Sequence, residues 1–212
     1  AFITTDLDDN QITAFHSGAM DRAHEARLES VGVPYSLAIV APNGKRAMQE
    51  YARELKARVP TVIDPGQGLP LFEREELIEL LEGASVYIVN DYEWSLTLQK
   101  TGLSEGEVAA RVETVVVTRG EQGSSIRADA QLLDIPVVAP ERVVDPTGCG
   151  DAYRAGFLLG RVRGLPLETC GRLGSVMGSL AVETEGTQSP LVHLDAVRAR
   201  FEGGLCKAGL PE

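Results

Sequence analysis

The chain has 212 residues, 43% of them apolar and 24% charged, which argues against a largely disordered protein and suits one domain with a proper core. Its 31 acidic against 20 basic residues leave a net charge of −11, which speaks against a nucleic-acid surface, because such surfaces rely on a basic face. No apolar run approaches the ~20 residues of a membrane helix, and no signal-peptide pattern is present. The three cysteines, Cys149, Cys170 and Cys206, are odd in number and lack CxxC spacing, so they suit free thiols in a reducing cytoplasm.

The opening "AFITTDLDDNQITAF" reads as two strands around an "LDDN" turn. "MDRAHEARLESVG" has mixed helical character and ends on Gly32. "YSLAIVA" is a short apolar run, followed by "NGKRAMQEYARELKAR", a helix expected to start at an Asn cap. "TVIDPG" is a buried-type strand that stops at Asp64 and Pro65. An acidic helix, "EREELIELLEGA", carries Leu77, Leu80 and Leu81. The strand "SVYIVN" ends at Asn90, and "DYEWSLTLQKTG" is the next helix. "TVVVTRG" is a further strand, and "SSIRADAQLLDIPVV" alternates as an antiparallel hairpin does. From about Cys149 to Phe201 the pattern is helical only.

Short apolar strands alternating with longer helices are the signature of a parallel sheet. A continuous run such as Val115-Val116-Val117 suits a sheet covered on both faces. The expectation is a doubly wound α/β domain with small antiparallel additions. Ligands in such sheets bind beyond the carboxyl ends of the strands. The polar residues there are Asp64, Asn90, Thr118 and Asp145. Each alone is what any turning chain shows; four together favour a ligand-binding edge.

The most informative stretch is "VVDPTGCGDAYRAGFLLG", residues 143 to 160. Two glycines before a helix let successive N–H groups converge, and the helix dipole favours negative charge at that point. Gly148, Cys149 and Gly150 therefore form a candidate oxyanion or phosphate cradle. Asp151 would repel an anion, but it is placed to receive a proton from a hydroxyl late in a reaction. The competing account is that Asp151 caps the helix and the glycines relieve crowding.

This stretch resembles the C-terminal signature of the PfkB, or ribokinase-like, carbohydrate and nucleoside kinases. The match runs through "DPTGCGDAYRAGFL", with Cys149 where alanine is commoner. "NDYE", Asn90 to Glu93, is similar to the family's Asn-x-x-Glu motif. "VTRGEQG", residues 117 to 123, is similar to the element lining its ATP site, and "SLAVETEGTQSP" to the segment that closes around adenine and a monovalent cation. The motifs fall in family order from residue 1. The family's N-terminal part, with its Gly-rich substrate-binding signature, is not among these residues, so a longer natural chain is expected. Residues 1 to 16 resemble the end of the β lid, and residues 17 to 212 the ribokinase-like α/β kinase domain. The wording "FITTDLDDNQITAFHSGAM", with "DPGQGLP", is nearest to bacterial adenosine or nucleoside kinases.

The resemblance implies a cytoplasmic enzyme that transfers the ATP γ-phosphate to the hydroxymethyl oxygen of a ribonucleoside, adenosine being favoured, or of a sugar. It implies Asp151 as base, the amides of Gly148, Cys149 and Gly150 as anion hole, and Thr118, Gly120 and Gly123 along ATP. Asn90 and Glu93 would hold Mg²⁺ directly or through water. Asp145 and Thr147 match positions that bind K⁺ in several relatives, although Asp145 also suits a simple brace of the turn. Two copies would pair through the lid, with no nucleic-acid or membrane partner.

The alternatives are a ribokinase- or fructokinase-type sugar kinase and a non-catalytic nucleoside sensor of the same fold. A dinucleotide-dependent oxidoreductase fails on detail, because no GxGxxG follows the first strands. His16, His24 and His193 lack ligand spacing, Trp94 reads as core, and Arg154 and Arg161 read as solvated or phosphate-facing.

Overall fold

The structure, a computed structural model, describes residues 2–5, 11–129, 131–187 and 193–203. The turn at 7–10, Cys206 and the end of the 179–190 segment lie outside the described residues. Strands β1 (Phe2–Thr5) and β2 (Gln11–Ala14) pair antiparallel as a separate two-stranded sheet. The expected helical stretch after it consists of two 3-10 segments, Gly18–Glu25 and Leu28–Ser30, neither with a buried residue. Its charges leave no apolar stripe on which an α-helix would be anchored.

The main sheet has six strands in sequential order: β3 (Ala38–Val40), β4 (Thr61–Ile63), β5 (Ala84–Asn90), β6 (Val112–Thr118), β7 (Ser124–Ala128) and β8 (Gln131–Ile135). The first four are parallel, and the β7–β8 hairpin continues the same sheet antiparallel to β6. Helices α1 (Lys45–Lys56), α2 (Arg74–Leu81), α3 (Asp91–Thr101) and α4 (Glu105–Ala109) follow the first strands. The last third folds as α5 (Cys149–Val162), α6 (Leu167–Ala181) and α7 (Leu194–Gly203).

The period of two along each strand sorts the core into two layers. Tyr87, Val89, Val115 and Val117 pack with Met48, Leu55, Leu77, Leu80 and Val108 from α1, α2 and α4. Val86, Ile88 and Val116 point the other way, onto Tyr153 and Phe157 of α5 and Cys170 of α6. The α/β fold with helices on both faces follows from that alternation. Trp94 is half-buried against the first layer.

Two local expectations need correction. Helix α1 is capped by Gly44, not Asn43; the Asn43 Oδ1 instead accepts the Gly44 N–H at 2.8 Å. Helix α4 is an addition to the expected elements, although Ser104 and Glu107 form a reciprocal capping box that the S-x-x-E spacing announces.

Close helix packing fixes where α5 begins. A Cβ on Gly156 would stand 2.5 Å from the Leu173 carbonyl, and one on Gly160 2.8 Å from the Cys170 Sγ. Only glycine lets α5 lie that near α6. At the sheet, the Tyr153 hydroxyl meets the Ser124 Oγ at 2.8 Å in a buried hydrogen bond. The start of α5 is thereby tied to the first residue of β7.

Candidate active site

Asn90 and Thr118 are register partners at the ends of β5 and β6, so these polar residues lie side by side. Asp64 follows β4, and its amide donates to the Val40 carbonyl at 2.9 Å. Gly148 caps α5 with φ 84°, a left-handed conformation that suits glycine. Cys149, Gly150 and Asp151 are the first three helical residues, where N–H groups lack intrahelical acceptors; the Cys149 N–H donates to the Pro146 carbonyl at 3.2 Å.

Beyond the strand ends opens a cleft of about 610 Å³. Thr118, Gly120, Gly123, Cys149 and Gly150 all line it, so residues singled out from two separate motifs meet in one space. The rest of its wall is mostly apolar and includes Val137, Pro140, Val143 and Val182. Val182 falls in the "SLAVETEGTQSP" segment expected to close around adenine, whereas the stretch from Val137 to Val143 is not foreseen as wall, and its apolar residues are its only local signal. Ser175 and Ser179 also line the cleft, but their hydroxyls are engaged elsewhere. Ser175 accepts from Val138 N and donates to the Pro136 carbonyl; Ser179 donates to Val176 O and accepts from Arg200.

Asp151 is exposed, and among the described residues its carboxylate has no hydrogen-bond or ion-pair partner. It does not cap the helix that it begins. Cys149 is half-buried, and burial pushes its thiol above the ordinary range.

Asn90 and Glu93 behave differently. The Asn90 Oδ1 accepts from Glu93 N at 2.7 Å and the Glu93 Oε2 accepts from Asn90 N at 2.8 Å, a complete capping box for α3. Among the described residues the Glu93 Oε1 has no hydrogen-bond partner, although the side chain is nearly buried. No group of three or more His, Cys, Asp or Glu that could hold a metal occurs among the described residues. The donor set therefore fits Mg²⁺ that arrives on phosphates and keeps its waters, with one or two carboxylates nearby. It does not fit a metal held by protein alone.

Asp145 is committed to backbone. Its Oδ1 accepts from Thr147 N and its Oδ2 from Gly186 N, both at 2.9 Å, and these bonds hold its carboxyl below the usual range. It joins the loop before α5 to the loop after α6. Any monovalent cation at Asp145 and Thr147 would share oxygens already accepting amides.

Asp64 pairs with Arg154, ninety residues away, a contact that sequence reasoning does not foresee. The Asp64 side chain is 3% exposed and the Arg154 side chain 14%, so of the two expectations for this arginine, solvated or phosphate-facing, the first does not hold. Burial raises Asp64 to about 6 against the pull of Arg154, and the Glu93 and Asp151 charges push it the same way as burial. Asp64 thus feels one guanidinium and two further carboxylates.

A second hollow, about 420 Å³, is lined by His24, Arg27, Arg46 and Arg53 among others; it shares no residue with the strand ends. Arg46 is turned to Glu50 and Arg53 to Glu79.

A parallel sheet with a glycine-bounded helix start at its carboxyl edge defines the class of α/β proteins that hold an anionic ligand there. The chain belongs to the pfkB family of carbohydrate kinases, whose family model matches residues 1–194. The nucleoside kinase of Methanocaldococcus jannaschii is 34% identical over 202 residues, covering 95% of this chain and 66% of that protein. The nucleoside kinase of Methanothermobacter thermautotrophicus is 33% identical over 206 residues, with 95% and 65% covered. The solved nucleoside kinase of Burkholderia thailandensis in complex with inosine superposes with a TM-score of 0.90 at 48% identity, over 95% of this chain and 67% of that one. The chain thus spans about two thirds of the length of these relatives.

Proposed function

We propose that this chain is the larger part of a nucleoside kinase, which transfers the γ-phosphate of ATP to the hydroxymethyl oxygen of a ribonucleoside. The observation that carries the reading is the junction at Gly150 and Asp151: Gly150 lines the cleft, while the next carboxylate is exposed and unengaged. A nucleoside sensor would have no use for a free carboxylate beside an amide cradle. The nucleoside kinases among its relatives favour a nucleoside over a sugar acceptor.

In this reading the ATP base and ribose lie along the apolar wall, with Thr118, Gly120 and Gly123 beneath them. The acceptor hydroxyl gives its proton to Asp151 as its oxygen bonds the γ-phosphorus and the bond to the β,γ-bridging oxygen breaks. The amides of Gly148, Cys149 and Gly150 stabilise charge on the transferred group. Magnesium would neutralise phosphate charge, with the Glu93 carboxylate and Asn90 holding its waters. Residues 1 to 16 would be the end of a lid over the acceptor, through which two copies could pair. Asp145 is given the bracing role.

The test is ADP release by the full-length protein with Mg–ATP and, in turn, adenosine, inosine, cytidine, ribose and fructose. Transfer to a nucleoside with kcat/KM well above that for either sugar is expected. Faster transfer to ribose or fructose would replace this reading by the sugar-kinase one. No transfer at all would favour the sensor.

A further inference from the structure

A protein with a net charge of −11 must bring positive charge to phosphate locally. Most arginines near the cleft are turned away from it: Arg119 to Asp134, and Arg200 to Glu141 and Glu183. Arg154 is placed otherwise. Asp64 holds its guanidinium side-on, with Oδ1 3.0 Å from Nη2 and Oδ2 against Nε. That grip leaves Nη1 on the far edge, and among the described residues Nη1 has no hydrogen-bond partner. The same Nη1 lies over Gly150, where a Cβ would stand 2.7 Å from it. Gly150 sits between Cys149 and Asp151 in the first turn of α5, so the open edge of the guanidinium rests on the helix end that carries the amide cradle.

We propose that Arg154 is a phosphate-contacting residue of this site, its Nη1 edge donating to the phosphoryl group in transfer, and that Asp64 is the positioning residue that holds it there. The proposal rests on the kinase reading above. Three features support it beyond the contact itself. A buried ion pair is a weak source of stability, because desolvation offsets its attraction, so one kept beside Glu93 and Asp151 calls for another role. Clamping through Nε and Nη2 turns the anionic end of the pair toward β4 and its cationic end toward the cradle. A planar fork fixed before the reaction needs little reorganisation when charge develops. Position 150 then has two reasons to be glycine: it lines the cleft, and its missing side chain leaves room for the guanidinium.

The experiment uses the full-length protein, saturating nucleoside and Mg–ATP, with ADP affinity by calorimetry and folding by thermal melts. Arg154→Ala is expected to lower kcat by about 10²–10³-fold, the loss seen when one preorganised donor is removed. Nucleoside KM and ADP affinity should stay within about threefold, as for an interaction made mainly in the transition state. Added methylguanidine should restore about tenfold or more of the lost turnover by refilling the vacated space. The double variant Asp64→Asn with Arg154→Met replaces the pair by neutral groups of similar size. It should melt like wild type yet keep the full loss in kcat, whereas a purely structural brace would be repaired.

Arg154→Ala with kcat within threefold of wild type would overturn the proposal. So would a loss that methylguanidine leaves unchanged, or a double variant with restored turnover. If Arg154→Ala does not fold, the double variant decides alone, and failure of both to fold would make the pair structural. A wild-type protein that transfers phosphate to no nucleoside would remove the kinase reading and this proposal together; active wild type with an indifferent Arg154 removes the proposal only.

Discussion

Glu93 and Asn90 hold each other by two reciprocal hydrogen bonds, 2.7 and 2.8 Å long, at the start of α3. The same pair carries the Asn-x-x-Glu spacing assigned above to magnesium. On the proposed function, structure and chemistry draw on one side chain, and two substitutions separate them. Glu93→Gln keeps a capping-box acceptor while losing the charge. It should melt within a few degrees of wild type but need more Mg²⁺ for half-maximal turnover. Glu93→Ala loses both and should also be destabilised by about 1 kcal/mol. A magnesium titration of Glu93→Gln that overlays wild type would leave the residue as a cap alone.

Asp151→Asn removes the proposed base without changing the size of the side chain. Turnover should fall by about 10²–10⁴-fold, the usual contribution of a positioned base. ADP affinity should change little, because the carboxylate lies beside the cradle and not in it. Turnover within a few-fold of wild type would remove Asp151 from the chemistry.

In the proposed function the Cys149 amide joins the anion cradle, for which it would leave the Pro146 carbonyl that it meets at 3.2 Å; burial raises the pKa of its thiol. Cys149→Ala keeps the amide and a small side chain, so kcat should stay within about threefold of wild type. Slow alkylation at pH 7 is expected, because the thiolate is the reactive form. A large kcat loss in Cys149→Ala would show that the sulfur itself takes part.

Gly123 has φ 78°, and a Cβ there would press on the Ile135 carbonyl and stand 2.9 Å from Val137 N. Gly83 has φ 73° with open space around it. Alanine at both sites incurs left-handed strain of about 1 kcal/mol or more, but only at Gly123 must the β8 exit move as well. Urea unfolding should show Gly123→Ala as clearly less stable than Gly83→Ala. Gly123→Ala should also weaken ATP binding, because Val137 forms part of the cleft wall. Equal stabilities would mean that the β8 exit yields freely.

The parts of this molecule that depend on neighbours along the chain are legible in its sequence. Val86 and Ile88 alternate with Tyr87 and Val89 along β5, and that period alone sorts them into the two core layers. The Gly148 to Asp151 run announces a helix start of unusual chemistry because a cap needs fewer special residues. Relationships between distant segments leave no such mark. Nothing in the spacing of Asp64 and Arg154 signals an ion pair, since it exists only because the fold brings the second turn of α5 to the residue after β4. The apolar wall from Val137 to Val143 is equally hidden, having neither helical nor strand period. The family resemblance assigns Asn90 and Glu93 one role, toward magnesium, whereas their capping box is another.

The Asp64–Arg154 pair also predicts a pH dependence of stability. Asp64 has an ordinary value of 3.8 when unfolded and about 6 when folded, chiefly because burial disfavours its charge. The folded state therefore binds this proton more tightly than the unfolded state. Between these values stability falls as pH rises, because folding must then keep a charge in a poorly solvated place. The contribution is fully present below about pH 4 and lost above about pH 6. Exposed carboxylates such as Glu79 and Glu107, held below their ordinary range by their partners, act in the opposite sense. The measurement must therefore be a difference. Wild type and Asp64→Asn are unfolded with urea from pH 4 to pH 7, and the gap between their stabilities is followed. Asn cannot titrate, so wild type should lose its advantage over the variant progressively as pH rises from 4 to 6 and then level off. A gap that stays constant across this range would show that Asp64 titrates near its ordinary value, and a gap that widens would show that Arg154 outweighs burial.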